Sequence, residues 1–413
     1  MGNSEVAHRR FIGLDVHRDY LVAVGVEAGG HVVLQPCRVR WSEFEQWART
    51  ELSQDDAVVL EMTGNALGVH DQLCTWVQSV TLVHPPHVKL ITRARVQTDE
   101  KAAHTLARLH AAGLLTSVWV PPAAVREQRV LVAQRTKMSR LMVQAKNRLH
   151  AVLHRLRCPL PEHALFDPEQ RQWWLSLPVS RVERVRIECD LDTLAFAQQQ
   201  VDRLTAAMVA LAGQDERVPL LIQLPGVSVI VAGTVLAAIG SIERFPSAKH
   251  LVGYAGLGVA VHNSGQTHTT GRITKEGRRE LRTALVEAAH VAARCHPYWK
   301  AQRVRLEKRI GYEKAIVAIA RRLLVAIWHV LTYGVADRFS DPQRVARKLV
   351  SHAYRLGRAN RPAGQSVADY VRTQLDHLRL GCDLTEIGHN GQRRLKLPPS
   401  QLQPGTSCSG ANR

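Results

Sequence analysis

The segment FIGLDVH, residues 11–17, is a short apolar run with a single carboxylate, Asp15, inside it. A carboxylate in a buried strand costs several kcal/mol of folding free energy unless a partner compensates its charge. A divalent metal ion, which prefers oxygen ligands, is one such partner. The segment therefore predicts a strand that carries a metal ligand, provided that further carboxylates converge on the same place.

Two more apolar runs follow after short polar turns. The second run extends from Tyr20 to Val26, and the turn Glu-Ala-Gly-Gly at residues 27–30 leads into a third run, from His31 to Leu34. Tight turns between consecutive apolar runs indicate an antiparallel meander. The sequence Ser-Glu-Phe-Glu at residues 42–45 is typical of a capping box and predicts a helix that extends to about Leu52.

A second acidic residue ends the next apolar run. Residues 57–64, Ala-Val-Val-Leu-Glu-Met-Thr-Gly, are continuously apolar up to Glu61, as in a strand that is buried on both faces. Open α/β sheets bind ligands at the carboxyl ends of their parallel strands, so Glu61 is a candidate ligand. A helix to about Gln78 and a short strand from Val80 to Val83 follow, and another helix begins near Thr98 and Asp99.

This order of elements resembles the RNase H-like (RuvC-like) fold that many nucleases and transposases share. The motifs resemble more closely those of the DEDD transposases of bacterial insertion sequences, the insertion-sequence one-ten family that includes the Piv-type invertases. The first motif of that family, Gly-hydrophobic-Asp-hydrophobic, matches residues 13–16, and the second, hydrophobic-Glu-x-Thr-Gly, matches residues 60–64. The third, Thr-Asp-x-x-Asp-Ala, is matched at Thr98, Asp99 and Ala103. The resemblance implies catalytic, metal-binding roles for Asp15, Glu61 and Asp99, with Mg²⁺ or alternatively Mn²⁺ as the cofactor.

The fourth acid of the family motif is missing, because Ala102 stands at its position. Residues three apart on a helix share one face, so an acid at position 102 would lie beside Asp99. Glu100 is rotated by about 100° from Asp99 and is a poor substitute. Two interpretations stay open. Either the chemistry is impaired, in a natural or an engineered copy, or water fills the lost ligand position and some activity is kept.

A second motif region lies in the C-terminal half. Leu-Pro-Gly-Val at residues 224–227 leads into an apolar helix and resembles a helix-hairpin-helix, whose backbone N–H groups bind phosphate. An ordinary turn between core helices is the alternative.

A Ser-Gly pair at residues 264–265 precedes Gly-Arg-Ile-Thr-Lys at residues 271–275. In the family that the chain resembles, the Ser of this pair is the proposed nucleophile, which implies that Ser264 is catalytic. For that residue alone, a turn serine before Gly is the simpler explanation.

The chain is strongly basic, since 55 Lys and Arg residues stand against 36 Asp and Glu residues. A net charge of +19 opposes compaction and suits a polyanionic partner such as nucleic acid. Residues 126–157 hold nine basic residues and one acid, and residues 272–282 hold five basic residues and two acids. We expect both clusters to neutralise backbone phosphates, with a solvated helix face as the alternative. The predicted nucleic-acid-binding residues are Arg129, Arg135, Lys137, Arg140, Lys146, Arg148, Arg155, Arg272, Lys275, Arg278, Arg279 and Arg282.

The first basic cluster also carries a helical apolar seam. Apolar residues recur at spacings of three and four from Met138 to Leu156, and again from Leu194 to Leu211. They predict two long helices that pair as a coiled coil, within the chain or between protomers. Four prolines indicate that Cys158 to Glu188 is a connector. The family resemblance implies that this helical region binds structured RNA.

Composition limits the class of protein further. A chain of 413 residues can form two or three domains. Its seven cysteines are scattered and form no Cys-x-x-Cys pair, so we expect no zinc site or disulfide framework and a reducing cytoplasm. The family resemblance implies that this cytoplasm is bacterial. No apolar run reaches the length of a membrane span, and no membrane partner is expected. The segment from Gly388 onward has the composition of a disordered tail.

We therefore predict an α/β plus α protein. It has an RNase H-like mixed-sheet DEDD domain (1–118), a basic coiled-coil linker domain (119–213), a mainly helical transposase domain with the helix-hairpin-helix and Ser264 (214–336), and a basic, partly disordered tail (337–413). The predicted function is a DNA transposase or recombinase that cleaves and rejoins strands through a phosphoserine intermediate.

The resemblance also implies partners. A guide RNA (bridge RNA) would pair with donor and target DNA, and protomers would assemble as dimers or tetramers. Two alternatives remain. One is a RuvC-like metal-dependent junction nuclease in which Ser264 is structural, and the other is a catalytically impaired copy that only binds nucleic acid.

Overall fold

The computed structural model describes residues 10–92, 98–157, 160–161, 164–264, 267–389 and 393–402. The chain divides into two compact units, Met1–Pro121 and Pro122–Arg413. The first unit contains a mixed sheet with helices, and the second is mainly helical. The finer division into four domains stays a prediction.

The first unit is built on a five-stranded sheet. Its elements are, in chain order, β1 (Arg10–Val16), β2 (Tyr20–Val26), β3 (Val32–Arg40), α1 (Phe44–Glu51), β4 (Asp56–Glu61), α2 (Ala66–Leu73), β5 (Ser79–Val83), α3 (Pro85–Thr92) and α4 (Asp99–Ala111). The strand order is β3-β2-β1-β4-β5. β1, β2 and β3 pair antiparallel, whereas β4 pairs parallel with β1 and β5 pairs parallel with β4. The predicted meander followed by alternating helices and strands is confirmed, and the mixed sheet fits an RNase H-like domain.

Two local predictions for this unit were inaccurate. β3 continues to Arg40, beyond the predicted end at Leu34, even though it contains Pro36. Because β3 is an edge strand, the N–H group that proline lacks removes no hydrogen bond from the interior of the sheet. The predicted capping box is wrong, because α1 begins after Glu43 and this residue makes no side-chain cap hydrogen bond.

Helix α4 lies against β1 in direct backbone contact. A Cβ atom on Gly13 would lie 2.0 Å from the carbonyl oxygen of Ala103 and 2.6 Å from the backbone nitrogen of Ala107, so only glycine permits this approach. Farther along the pair, the rings of Phe11 and His110 meet edge to face with their centroids 5.6 Å apart. The helix therefore runs antiparallel to β1, and its first residues lie beside the carboxyl end of that strand.

The second unit is a helical assembly with two short hairpins. Its elements are, in chain order, α5 (Ala123–Leu156), α6 (Arg171–Leu175), α7 (Arg181–Ala212), α8 (Arg217–Ile222), α9 (Val229–Ile239), α10 (Ala248–Tyr254), β6 (Val259–Ser264), β7 (Thr267–Ile273), α11 (Arg279–Cys295), α12 (Pro297–Ile310), α13 (Tyr312–Tyr333), α14 (Pro342–Leu356), α15 (Val367–His377), β8 (Glu386–His389) and β9 (Arg393–Lys396).

The long helices α5 and α7 pack antiparallel. Arg135 Nε donates to Thr205 Oγ1 over 2.8 Å, and Arg148 Nε donates to Asp190 Oδ1 over 2.6 Å. The apolar seam is buried between them through residues that include Ala145, Leu149, Val152, Ile187 and Leu194. The predicted pairing of two long helices is therefore observed within the chain, and its classification as a coiled coil stays a prediction.

The predicted connector between these helices is shorter than expected. α7 begins at Arg181 rather than after Glu188, because the side chain of Ser180 accepts a hydrogen bond from the backbone N–H of Glu183. A serine followed three residues later by glutamate is a sequence signal for a helix start. The signal was present at Ser180, although the prolines upstream made the segment look like a connector.

The core of the second unit surrounds α13. By length and composition alone this helix is apolar enough to cross a membrane, and 44% of its most apolar stretch is buried inside the protein. The expectation that no apolar run reaches that length is therefore not met. The helix contains Arg321 and Arg322 in its middle, and its residues Ile319, Leu323 and Leu324 are fully buried in the core of the unit.

The turn between α8 and α9 is held against α11. Gly226 has φ +79°, and a Cβ atom there would lie 2.0 Å from the carbonyl oxygen of Ala288. The side chain of Ser228 caps α9 by accepting from the backbone N–H of Val231 over 3.2 Å. The Pro-Gly turn thus has a packing role, and a helix-hairpin-helix function stays a prediction.

The region predicted as a basic, partly disordered tail contains regular structure. α14 and α15 lie in it, and Leu349, Val350 and Leu375 are fully buried. The β8–β9 hairpin extends to Lys396, beyond Gly388, where composition indicated disorder. Ile387 anchors this hairpin because it is fully buried in the core of the unit.

Candidate functional site

Asp15 lies near the carboxyl end of β1, next to the last residue of that strand. Burial raises the pKa of its carboxyl group, and the charge of Asp99 raises it further, whereas His17 lowers it. A carboxylate in this position is stabilised by a positive charge placed close to it.

Asp99 is brought to the same place by the contact between α4 and β1. It is the first residue of α4, which follows the N-cap Thr98. The hydroxyl of Tyr20 donates to Asp99 Oδ2 over 2.9 Å. This hydrogen bond to the carboxylate raises the pKa of Tyr20. Two of the three predicted acids, separated by most of the length of the unit, therefore meet at one point.

His17 completes the group, and sequence analysis did not select it. Its Nε2 atom lies 3.4 Å from Asp15 Oδ2 and 3.3 Å from Asp99 Oδ2. Within the described part of the chain, Asp15, His17 and Asp99 form a group whose ligand atoms all lie within 4.8 Å of one another. His17 directly follows β1 and stands two residues after Asp15, so the Asp-x-His spacing is the one sequence signal that points to it.

The environment of His17 fits a metal ligand. Its Nε2 atom is buried and lacks a hydrogen bond of acceptable geometry, although two carboxylate oxygens lie near it. Its ring stacks on Tyr20 with centroids 4.7 Å apart, and the guanidinium of Arg38 lies over the other ring at 3.5 Å from its centroid. A nitrogen donor held rigidly between two carboxylates is the kind of site that binds a divalent ion.

Glu61 lies at the end of the neighbouring strand. β1 and β4 are paired up to Leu14 and Leu60, so Asp15 and Glu61 are the next residues on two adjacent parallel strands. Glu61 is half-buried and does not belong to the group of ligand atoms formed by Asp15, His17 and Asp99. Glu61 thus lies on the same edge of the sheet as Asp15, while His17 is the third residue of the group of ligand atoms.

Ala102 lies one turn after Asp99 on α4. It is half-exposed, and its backbone N–H donates to the carbonyl oxygen of Thr98 over 2.8 Å. The residue contributes no ligand atom. Its neighbour Ala103 is the residue that packs against Gly13, so position 102 is free of the contact that fixes the helix on the sheet.

Ser264 is placed by its backbone alone. It is the last residue of β6 and pairs with Thr267 of β7 in an antiparallel hairpin. Its side chain and the following residues 265–266 lie outside the described residues. The role of Ser264 therefore stays a prediction.

The predicted nucleic-acid-binding residues fall into two groups. Six of the arginines make hydrogen bonds or ion pairs within the second unit: Arg129 with the carbonyl oxygens of Ala237 and Ala238, Arg135 with Thr205, Arg148 with Asp190, Arg155 with Glu183, Arg278 with the hydroxyl of Tyr254 and Arg282 with the carbonyl oxygen of Ala255. A second group is exposed, namely Lys137, Arg140, Arg272, Lys275 and Arg279. Arg148 and Arg155 are exposed too, although their charges are paired. The exposed group has the accessibility that contact with backbone phosphates requires.

Two family models match the chain. One, described as a transposase of the DEDD type found in IS110, matches residues 12–157. The other, described as the transposase family of IS116, IS110 and IS902, matches residues 218–304. The first match contains Asp15, His17, Glu61 and Asp99, and the second contains Ser264.

Curated relatives carry names of the same kind. The chain is 28% identical to transposase y4qE of Sinorhizobium fredii over 65% of this chain and 66% of that protein. It is 25% identical to the transposase for insertion sequence element IS1111A of Coxiella burnetii, over 78% of this chain and 90% of the relative. It is also 25% identical to the pilin gene-inverting protein of Moraxella bovis, over 78% of this chain and 96% of the relative.

Proposed function

The chain belongs to the IS110 family of transposases, and on that basis we propose that it cleaves and rejoins DNA strands with a divalent metal ion held by Asp15, His17 and Asp99. The observation that carries this proposal is the convergence of the three side chains at the carboxyl end of β1. Glu61, at the end of the adjacent strand, is the fourth proposed ligand. Transposition and recombination are the activities of the family, and DNA is its substrate.

The proposed donor set favours Mn²⁺ over Mg²⁺. Mg²⁺ prefers oxygen ligands and retains several waters, whereas an imidazole nitrogen binds first-row transition metals more readily. When bound, the ion supplies positive charge that polarises the phosphate and stabilises the charge that develops during strand transfer. Mg²⁺, which the resemblance implied, is the second candidate.

We assign the nucleophile to Ser264. Its Oγ would attack the phosphorus of a DNA phosphodiester, and the bond between phosphorus and the 3′ oxygen would break. The serine proton passes to a base, and the 3′ oxygen leaves as a hydroxyl after it gains a proton. The product is a 5′-phosphoserine link. A 3′ hydroxyl of the exchanged strand then attacks this link and releases the serine, so the number of phosphodiester bonds is conserved without hydrolysis.

The remaining parts of the proposal concern partners. Exposed basic residues of α5 and of the segment 272–282 would bind DNA and a structured guide RNA. The turn at residues 224–227 would act as a helix-hairpin-helix, and the α5–α7 pair would form a coiled coil within the chain. Protomers would assemble as dimers or tetramers. The exposure of Lys137, Arg140 and Arg272 supports the nucleic-acid contacts.

A covalent protein–DNA adduct is the decisive measurement. Purified protein, with its co-purifying RNA, is incubated in Mn²⁺ with labelled DNA that carries the ends of the host element, and products are separated under denaturing conditions. We expect an adduct with the wild type, none with Ser264→Ala, and a strong reduction with Asp15→Asn. Ser247→Ala is the matched control, because Ser247 is a half-exposed serine of the same unit whose hydroxyl contacts His250. An adduct that persists in Ser264→Ala would overturn the assignment of the nucleophile.

Two alternatives give different results in the same experiment. A junction nuclease that uses water would cleave DNA without an adduct, and Asp15→Asn would abolish the cleavage. A copy that only binds nucleic acid is favoured by Ala102, and it would bind DNA but cleave nothing in Mn²⁺ or Mg²⁺.

A further inference from the structure

Three arginines of the second unit surround one tyrosine. Arg129 lies on α5, Arg244 follows α9, Arg278 precedes α11, and Tyr254 ends α10; we call these four residues the arginine cluster. Arg278 Nε donates to the hydroxyl of Tyr254 over 3.3 Å. The guanidinium carbon of Arg244 lies 4.8 Å from the centroid of the same ring. Residues from four separate segments thus meet at one point, and all four side chains remain half-exposed.

Like charges act on one another within the arginine cluster. Burial lowers the pKa of Arg129, and the charges of Arg278 and Arg244 lower it further. Burial opposes ionisation of Tyr254, but the three positive charges outweigh this effect and lower its pKa. A site of this kind gains free energy when an anion enters it, because the anion offsets the mutual repulsion of the guanidinium groups.

Capping of α9 explains part of the cluster. Arg129 donates to the carbonyl oxygens of Ala237 and Ala238 over 2.8 and 2.9 Å, and Arg244 Nη1 donates to that of Ile239 over 3.0 Å. Cations are favoured at the C-terminus of a helix. Capping does not explain Arg278, whose guanidinium contacts none of these carbonyls. Within the described residues its terminal nitrogens make no hydrogen bond, so its bidentate donor edge is available.

The segment before Arg278 is held in place by close backbone contacts. A Cβ atom on Gly277, where φ is +99°, would lie 2.2 Å from the carbonyl oxygen of Tyr254. A Cβ atom on Gly256 would lie 2.1 Å from that of Glu276. Lys275 adopts φ +58°, a left-handed conformation that costs a non-glycine residue free energy and that is found most often where function requires it. These contacts fix Arg278 beside Tyr254 before any ligand binds.

We propose that the arginine cluster binds one phosphate of the DNA backbone, with Arg278 as the direct, bidentate ligand. Arg244 and Arg129 add positive charge, and the Tyr254 hydroxyl orients Arg278. A planar guanidinium with two parallel N–H groups matches a phosphate better than an ammonium does. The inference rests on the proposed function only in taking DNA as the partner.

The test is the salt dependence of DNA binding, measured in EDTA so that strand cleavage plays no part. Binding of a labelled duplex is followed by fluorescence anisotropy from about 50 to 200 mM KCl, where the logarithm of the association constant falls by about 0.9 per phosphate contact for each tenfold increase in salt. We call the decrease in the logarithm of the association constant per tenfold increase in salt the salt slope, and we expect Arg278→Gln to reduce it by about 0.9. Arg278→Lys should keep most of the slope and bind less tightly, because it retains the charge and loses the bidentate geometry.

Arg303→Gln is the matched control. Arg303 is also half-exposed and lies over a tyrosine ring, that of Tyr312, but its charge is paired with Glu307. The salt slope of DNA binding by Arg303→Gln should equal that of the wild type. Circular dichroism shows whether Arg278→Gln is folded. If it is not, Arg244→Gln tests the same site from another segment of the chain.

The outcomes separate this inference from the proposed function. A wild-type salt slope in both Arg278→Gln and Arg244→Gln would overturn the phosphate site. It would not bear on the proposed strand cleavage, which the adduct experiment tests separately. A reduced slope in a protein that forms no adduct in Mn²⁺ would support the site and contradict the recombinase mechanism. A slope that changes with a labelled structured RNA and not with the duplex would overturn the assignment to DNA.

Discussion

The Nε2 atom of His17 lies 3.3 Å from Oδ2 of Asp99, the first residue of a helix that follows seven intervening elements in the chain. The same atom lies 3.4 Å from Asp15. The imidazole therefore stands between two carboxylates that would otherwise repel each other.

Replacement of His17 should weaken Mn²⁺ binding and reduce the preference for Mn²⁺ over Mg²⁺. His17→Ala removes the one nitrogen donor of the proposed site, and we expect the Mn²⁺ dissociation constant to rise by at least about tenfold, with a smaller change for Mg²⁺. Isothermal titration calorimetry measures both constants. His31→Ala, at an exposed histidine after the turn that follows β2, is the control. Equal affinities for the two ions in the wild type would contradict a histidine ligand.

Introduction of an acid at position 102 should strengthen the site. Ala102→Asp places a carboxylate one turn after Asp99 on the same helix face, and we expect tighter binding of both ions and more adduct per unit time. Ala102→Asn has the same size without the charge and should give neither gain. If Ala102→Asp changes neither metal binding nor adduct formation, the missing acid does not limit this protein.

Replacement of Gly13 should affect both stability and metal binding. In Gly13→Ala the added methyl group would overlap the backbone of Ala103 at 2.0 Å, so α4 must move, which costs about 1–3 kcal/mol or more of unfolding free energy. Mn²⁺ affinity should fall as well, because Asp99 moves with the helix. Urea unfolding and calorimetry measure the two effects.

Gly68→Ala is the matched control for that experiment. Gly68 lies within α2, and a Cβ atom there would meet no atom within 4 Å, so alanine should leave stability unchanged or raise it by roughly 0.5–1 kcal/mol. If Gly13→Ala and the wild type have equal free energies of unfolding, then α4 and β1 are far enough apart to accommodate a methyl group.

Acid should destabilise the second unit through His352. Burial, together with the charge of Arg355, lowers the pKa of this histidine from 6.5 to about 4, and its side chain is 3% exposed beside the ring of Tyr370. Because the unfolded chain binds the proton more readily, stability is complete above pH 6.5 and is lost as pH falls toward 4, by roughly 3 kcal/mol.

The measurement is urea unfolding across this pH range with the wild type and His352→Gln. The variant should show a smaller loss between neutral pH and pH 4, since glutamine carries no titrating proton. An identical pH dependence in the two proteins would assign the acid sensitivity to other groups.

Local sequence patterns predicted the sheet of the first unit well, because strand alternation and turns act over a few residues. The order of the acidic motifs also predicted that Asp15 and Asp99 converge. His17 could not be predicted, because it lies one residue beyond the end of β1 and a single histidine carries little information without its neighbours in space. The helix start at Ser180 and the β8–β9 hairpin depend on short local signals, which the proline-rich and polar composition of the surrounding regions obscures.

The basic residues show the limit of charge patterns. Arg140 and Arg148 are equivalent in the sequence and both are exposed, yet the charge of Arg148 is paired with Asp190. Arg129 turns toward the carbonyl oxygens that end α9. Such partners come from distant parts of the chain, so a count of positive residues predicts that a polyanion binds but not which arginines contact it.

The edge strand β3 has a consequence for self-association. A free sheet edge is a template on which another copy can add a strand, and proline at such an edge removes one of the amide donors that the added strand needs. Pro36 therefore disfavours growth of the five-stranded sheet from one protomer into the next on this side. Assemblies of the chain are expected to form through side-chain surfaces rather than through this edge of the sheet.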